Sequence, residues 1–229
     1  MTTTAVPDRT ASSIPRNRIP LWLKIAYTAF LAVLIPVYWK NYGPTNFLYF
    51  CDVALLITLV GVWRESALLV SMPAVGILVP QALWCVDFLL QLLGGKLTGM
   101  TGYMFDENRS LFLRGLSLFH GWLPFLLVYL VYKLGYDRRA LWGWSLICVA
   151  LCLIGYFLLP AAGAVVANPK IPRNINYVFG MDDDKMQTFL PPLAYLFLWI
   201  TALISIAFVP THLLLKKFFP SAATRSLLA

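Results

Sequence analysis

Six apolar runs, at residues 21–39, 47–63, 67–93, 111–134, 141–161 and 190–215, take up most of this chain. A helix needs about 20 apolar residues to cross the hydrocarbon of a bilayer. Within lipid, only helices and closed barrels satisfy their own backbone hydrogen bonds. Runs of this length predict an all-α polytopic membrane protein, a bundle of six transmembrane helices. The composition agrees, at 60% hydrophobic and 12% charged residues with a mean hydropathy of +0.74. The reading divides the chain into a flexible cytoplasmic tail (1–20), a six-span domain (21–217) and a cytoplasmic C-terminal tail (218–229). The first 20 residues are too polar for a cleavable signal peptide.

The formal net charge of +8 does not point to nucleic acid, because the cations sit at the ends of apolar runs and form no stripe interleaved with aromatics. Topology accounts for them. With the N-terminus in the cytoplasm, eleven of the 18 Lys and Arg residues fall on that side, including the clusters at 133–139 and 216–217. The positive-inside rule favours that orientation, with both termini inside. Trp22, Trp39, Trp63, Trp142 and Trp144 lie near run ends, where aromatic rings anchor at the interface. Pro73 and Pro80 in the overlong third run favour a kink or break. The four cysteines, Cys51, Cys85, Cys148 and Cys152, all fall in spans and predict no disulfide framework. Cys148 and Cys152 read as small packing residues. No internal repeat is visible.

Three ionisable residues, Asp52, Asp87 and His120, lie inside these runs. An uncompensated charge there costs at least ~2.5–3.5 kcal/mol, so such residues face a partner, a cavity or a substrate. The orientation brings them to one level. Tyr49, Cys51 and Asp52 open span two at its outer end, Trp84 and Asp87 close span three, and His120 lies roughly 13 Å below the start of span four at 1.5 Å per residue. Two outer loops, 94–110 and 162–189, exceed what a helical hairpin requires, and their aromatic and apolar content predicts ordered lids. Asn174, Asn176 and Tyr177 would sit above the site, with Gln187 at the start of the last span.

Each residue carries alternatives. His120 is either a general base titrating near neutrality or a buried neutral imidazole bonded to a neighbouring helix. In SLFHGWLP, Gly121 opens space beside it, and Pro124 can leave a carbonyl free within the membrane. Asp52 either orients the imidazole, pairs with Arg114, or makes a structural contact. Asp87 is equally ambiguous, and the two carboxylates, if close, would share one proton. Cys51 is a nucleophile candidate, although an adjacent carboxylate opposes a thiolate; packing is its other reading. Tyr49 is either a hydrogen-bond donor or nucleophile, or an interfacial aromatic. His212 reads as an interfacial residue with no role. No GxSxG, HExxH, CxxC or P-loop pattern occurs, and no metal site or cofactor is expected.

The segment YGPTNFLYFCDVAL (residues 42–55) resembles the second span of the androgen-induced family of intramembrane hydrolases. The segment LSLFHGWLPFLLVYLV (residues 116–131) is similar to the span that carries that family's His. The resemblance implies cleavage of fatty-acid esters with a Thr nucleophile and a His base, and makes His120 the base. Tyr49 stands where the family's Thr would be, leaving Tyr49, Cys51 or a water activated by His120 as the attacking group. NINYVFG (residues 174–180) resembles related bacterial membrane proteins and acyltransferases.

These readings converge on an intramembrane lipid hydrolase or acyltransferase in a bacterial inner membrane, acting on a fatty-acyl ester from a pocket open to the external leaflet. His120, Asp52, Cys51 and Tyr49 are the catalytic candidates. Asp87, Trp84, Arg114, Asn174, Asn176, Tyr177 and Gln187 are the substrate-binding ones. Expected partners are the bilayer and the lipid, with no nucleic acid; the oligomeric state stays open. The alternatives are a small proton-coupled transporter or lipid-binding protein, or a packing protein with buried polar clasps.

Overall fold

A computed structural model describes residues 18–168 and 170–220, and the described residues are entirely helical and loop. Most of both tails lies outside them. Five helical stretches are long and apolar enough to span a membrane: Leu21–Tyr42, Ala67–Leu92, Leu111–Leu134, Ala140–Leu158 and Pro192–Phe218. The protein is therefore read as an integral multi-pass membrane protein. The run expected as the second span forms a shorter helix of 15 residues, preceded by a 3-10 turn.

In chain order the helices are α1 (Leu21–Tyr42), the 3-10 turn (Pro44–Leu48), α2 (Phe50–Arg64), α3 (Ala67–Leu92), α4 (Leu111–Leu116), α5 (Phe119–Leu134), α6 (Ala140–Leu158), α7 (Pro192–Ala202) and α8 (Val209–Phe218). α3 is the hub, packing against α2, α5, α6 and α8. Half of its apolar window is buried, against 22–33% for the other four spans. Side chains such as Phe125, Trp142 and Phe197 cover the outside of the bundle with apolar surface. Between helices in lipid, close fit replaces the hydrophobic effect as the cohesive force. Gly76 shows this: a Cβ there would overlap the fully buried indole of Trp144 on α6.

Proline explains the irregularities only in part. α3 continues through Pro73 and Pro80 without the break the sequence suggests. Pro210 cannot donate to the carbonyl of Ile206, and the preceding turn, Leu203–Phe208, widens into a π-helix joining α7 to α8. The fourth span breaks at Ser117–Leu118, between α4 and α5.

Two faces result. On the tail face, Glu65 accepts from Lys24 Nζ (2.8 Å) and from the amides of Arg18 (3.0 Å) and Ile19 (3.3 Å). Burial pushes the Glu65 carboxyl up, but these donors outweigh it and hold it below its ordinary value. The Asp137 amide donates to Ser71 Oγ (3.1 Å), and Tyr136 Oη bonds His212 Nδ1 (2.7 Å), giving His212 a structural partner. The opposite, loop face carries residues 43–49, 93–110, 159–168 and 170–191.

Candidate functional site

Beneath the loop face, α2 begins where the 3-10 turn delivers Asn46 above Asp52. Asn46 Nδ2 donates to Asp52 Oδ2 at 3.2 Å, and the Cys51 thiol points to the same oxygen at 3.8 Å. Asp52 is buried, and its Oδ1 has no partner. The expected Asp52–Arg114 pair does not form. Arg114 Nη1 donates instead to the Met104 carbonyl (3.0 Å), and its Nε is unpartnered.

Asp87 has the opposite surroundings. Its Oδ1 accepts from the amides of Leu97 (3.1 Å), Thr98 (2.7 Å) and Gly99 (3.0 Å). Its Oδ2 accepts from the Thr101 amide (3.0 Å), Thr101 Oγ1 (2.6 Å) and Gln91 Nε2 (3.0 Å). A carboxylate has about four lone-pair sites, so Asp87 is saturated by the loop it organises and holds nothing in reserve for a ligand. It does not share a proton with Asp52.

The loop residues expected to bind substrate also spend their polar atoms on the fold. Asn174 Oδ1 accepts from the Phe179 amide (2.9 Å), and its Nδ2 donates to the carbonyls of Gly180 (2.9 Å) and Asp182 (3.1 Å). Asn176 accepts from the Phe50 amide (3.0 Å) and donates to the Leu48 carbonyl (2.9 Å), while its own carbonyl takes Trp199 Nε1 (2.9 Å). Both asparagines and Tyr177 have positive φ, an uncommon state for residues with a side chain. Gln187 caps the approach to α7 through the Leu190 amide and carbonyl. Tyr177 lies near Tyr49, Cys51 and Asp183. The Asp183 carboxyl is pushed up by burial and by neighbouring Asp184 and Asp182.

His120 sits in the first turn of α5, just past the break. Its Nδ1 lies 2.7 Å from the Ser117 carbonyl, which also accepts from the His120 amide (3.2 Å). A carbonyl can only accept, so Nδ1 carries the proton and Nε2 presents its lone pair. The expected carboxylate orienter is thus replaced by a backbone oxygen; neither Asp52 nor Asp87 bonds the imidazole. The ring stacks on Trp84 (centroids 4.8 Å, 15°) and on Phe119 (4.0 Å, 27°). Ser117 Oγ bonds Tyr38 Oη at 2.7 Å, and Tyr103 from the loop comes in beside Ser117 and Trp84. Burial pushes the Tyr103 phenol up, keeping it neutral and able to donate.

Below the imidazole, an apolar groove of about 400 Å³ runs between α3 and α5, lined by Leu78, Ala82, Cys85, Gly121, Pro124, Phe125 and Val128. Gly121 adjoins open space. Pro124 cannot donate to the His120 carbonyl, which receives the weak Cys85 thiol at 3.7 Å. Along helices rising 1.5 Å per residue, Asp52, Gln81 and His120 all lie roughly 18–21 Å from the tail-face ends of α2, α3 and α5. They form one layer.

Within it, Gln81 Nε2, Gln81 Oε1 and Trp84 Nε1 are buried without partners. Each such group costs about 1–3 kcal/mol. Gln81, Tyr38, Ser117 and Tyr103 were not singled out in the sequence. Gln81 had a usable signal, a carboxamide in mid-span; Tyr38 near the end of α1, Ser117 at the break in the fourth span and Tyr103 in the loop are ordinary residue types for their places. Among the described residues no group of three or more His, Cys, Asp and Glu could hold a metal ion. No family model, curated protein or solved structure matches this chain.

Proposed function

We propose that the protein is an intramembrane acyl-ester hydrolase, or a transferase of the same chemistry, with His120 Nε2 as its general base. The single observation that carries this is the imidazole: one tautomer, a ring stacked on Trp84 and on Phe119, and an Nε2 lone pair on the residue next to Gly121 of the apolar groove. A base must be fixed in tautomer and orientation before it can take a proton productively. The acyl chain lies between α3 and α5, each methylene contributing about 0.8 kcal/mol relative to water.

Water is the nucleophile that fits. Cys51 spends its thiol on Asp52, and Tyr49 lies toward Tyr177 and Asp183. In the reaction, His120 Nε2 takes a proton from water as its oxygen bonds the acyl carbon. The tetrahedral intermediate then collapses, the ester C–O bond breaks, and the proton passes from His120 to the departing alcohol. One ester and one water yield one acid and one alcohol.

The Lys24–Glu65 pair ties the start of α1 to the end of α2, which supports counting α2 with its 3-10 turn as a sixth crossing. An even count and the excess of cations on the tail face favour both termini in the cytoplasm. The site then opens toward the external leaflet. A helical bundle suits a bacterial inner membrane, since outer membranes carry barrels.

The test is hydrolysis of a long-chain fatty-acyl ester by purified protein. His120→Ala should abolish turnover with the melting temperature kept, and unchanged turnover would remove the mechanism. A second reading, a small proton-coupled transporter or lipid-binding protein, is favoured by the bare Oδ1 of Asp52. Uptake driven by a pH gradient in proteoliposomes, lost in Asp52→Asn, would select it.

A further inference from the structure

Two of the unpartnered groups in the layer are N–H donors on the same face of one helix. Gln81 and Trp84 are three residues apart on α3, hence on adjacent turns, and both are buried, at 2% and 6% exposure. Of the α3 residues that wall the groove, Leu78 and Cys85 lie three before and four after Gln81, on its face of the helix, and Gln81 and Trp84 stand behind that wall without being part of the lining. The Trp84 indole is at the same time the surface on which His120 is stacked. The donors, the groove and the base therefore occupy one neighbourhood. An acyl chain laid in the groove brings its ester carbonyl to the polar end, where the groove's own lining offers that oxygen nothing. Fixed donors aimed where negative charge develops are a large term in acyl transfer, because they need no reorganisation as the charge appears.

We propose that Gln81 Nε2–H and Trp84 Nε1–H bind the carbonyl oxygen of a long-chain acyl ester in the α3–α5 groove and hold the oxyanion formed when water adds to it. The proposal rests on the hydrolase reading above and assigns it a binding element. As the water oxygen bonds the acyl carbon, the carbonyl π pair moves onto the oxygen held by Gln81 and Trp84. On collapse that pair re-forms the C=O bond, and the departing alcohol takes its proton from His120. A purely structural Gln81 makes a different forecast, since a packing or bonding role would be lost on substitution.

The experiment uses the full-length protein in detergent with methyl [1-13C]palmitate as probe, read by the infrared stretch of the labelled carbonyl. In the wild type the bound carbonyl should shift to lower frequency. Gln81→Leu, and Trp84→Phe, which keeps a ring on His120, should each reverse part of that shift. Each should also lower kcat by about 100-fold or more with KM little changed. Gln81→Leu should melt at the same or a higher temperature, because it removes unmatched polar atoms. A wild-type carbonyl at its free frequency, a shift that survives both substitutions, or a Gln81→Leu protein that melts lower with full turnover would overturn the proposal. His120→Ala tests the hydrolase reading separately: if it turns over as fast as wild type while the shift remains sensitive to Gln81, that reading falls and the carbonyl site stands. A probe that does not bind removes both.

Discussion

Two aspartates, 35 residues apart and both buried under the loop face, differ in nearly every respect that matters. Asp87 accepts six hydrogen bonds, four of them from the backbone of one loop. Asp52 accepts one from Asn46 and a weak one from Cys51, and leaves an oxygen bare. A buried polar group costs free energy unless it is matched. Asp87 is matched and therefore architectural. Asp52 carries a standing cost, and groups kept at such a cost are where ligand chemistry is to be sought.

The contrast can be broken in several ways. The largest effect is expected at Asp87. Asp87→Ala strands four backbone amides at the lip of the bundle, and at ~1 kcal/mol or more for each lost bond the loss is several kcal/mol. Limited proteolysis should then cut within residues 93–110, and a protected loop would show that Asp87 is not the latch. Gly76→Leu, which drives a side chain into Trp144, should cost about 1–3 kcal/mol or prevent folding; a thermal melt reads it.

Asp52→Asn should change stability by less than about 1 kcal/mol, since a carboxamide can still accept from Asn46. A collapse comparable to that of Asp87→Ala would erase the distinction between the two carboxylates. The smallest effect is at the tail face, outside the spans. Because the Glu65 carboxyl is held below its ordinary value, its stabilising contribution is present above about 4.3, the unfolded value, and is lost as the pH falls through the folded one. Melting temperature should therefore decline in that acidic window and do so less steeply in Glu65→Gln. Equal slopes would mean that the Lys24 pair is energetically silent.

The spans were legible because hydropathy and length are long-range averages that a single unusual residue cannot disturb. Leu111–Leu134 and Ala67–Leu92 match the expected runs within a residue. The exact start of α2 was not legible: residues 47–49 belong to the apolar run that begins at Phe47, yet the 3-10 turn that starts at Pro44 holds the chain to Leu48 and the helix opens only at Phe50. Asp52, Asp87 and His120 were found because charge inside an apolar run is conspicuous. Their partners were hidden, since the groups that satisfy Asp87 and His120 are mostly backbone amides and a carbonyl, which every residue type possesses. Asn174, Asn176 and Gln187 drew attention as polar loop residues, yet local geometry absorbs them as turn-formers and caps. Gln81 shows the converse: a carboxamide in mid-span is visible in the sequence, but that its neighbours leave both of its polar atoms without a partner is seen only in the structure.

Asn176 fastens the first turn of α2 through a hydrogen bond that spans 126 residues of sequence, and its own carbonyl is fastened by Trp199. During synthesis, the second helix must therefore wait, inserted but not clamped, until the chain as far as Trp199 has left the ribosome. The earliest-made part of the site is completed last, and a chain truncated ahead of α7 would leave it unfinished.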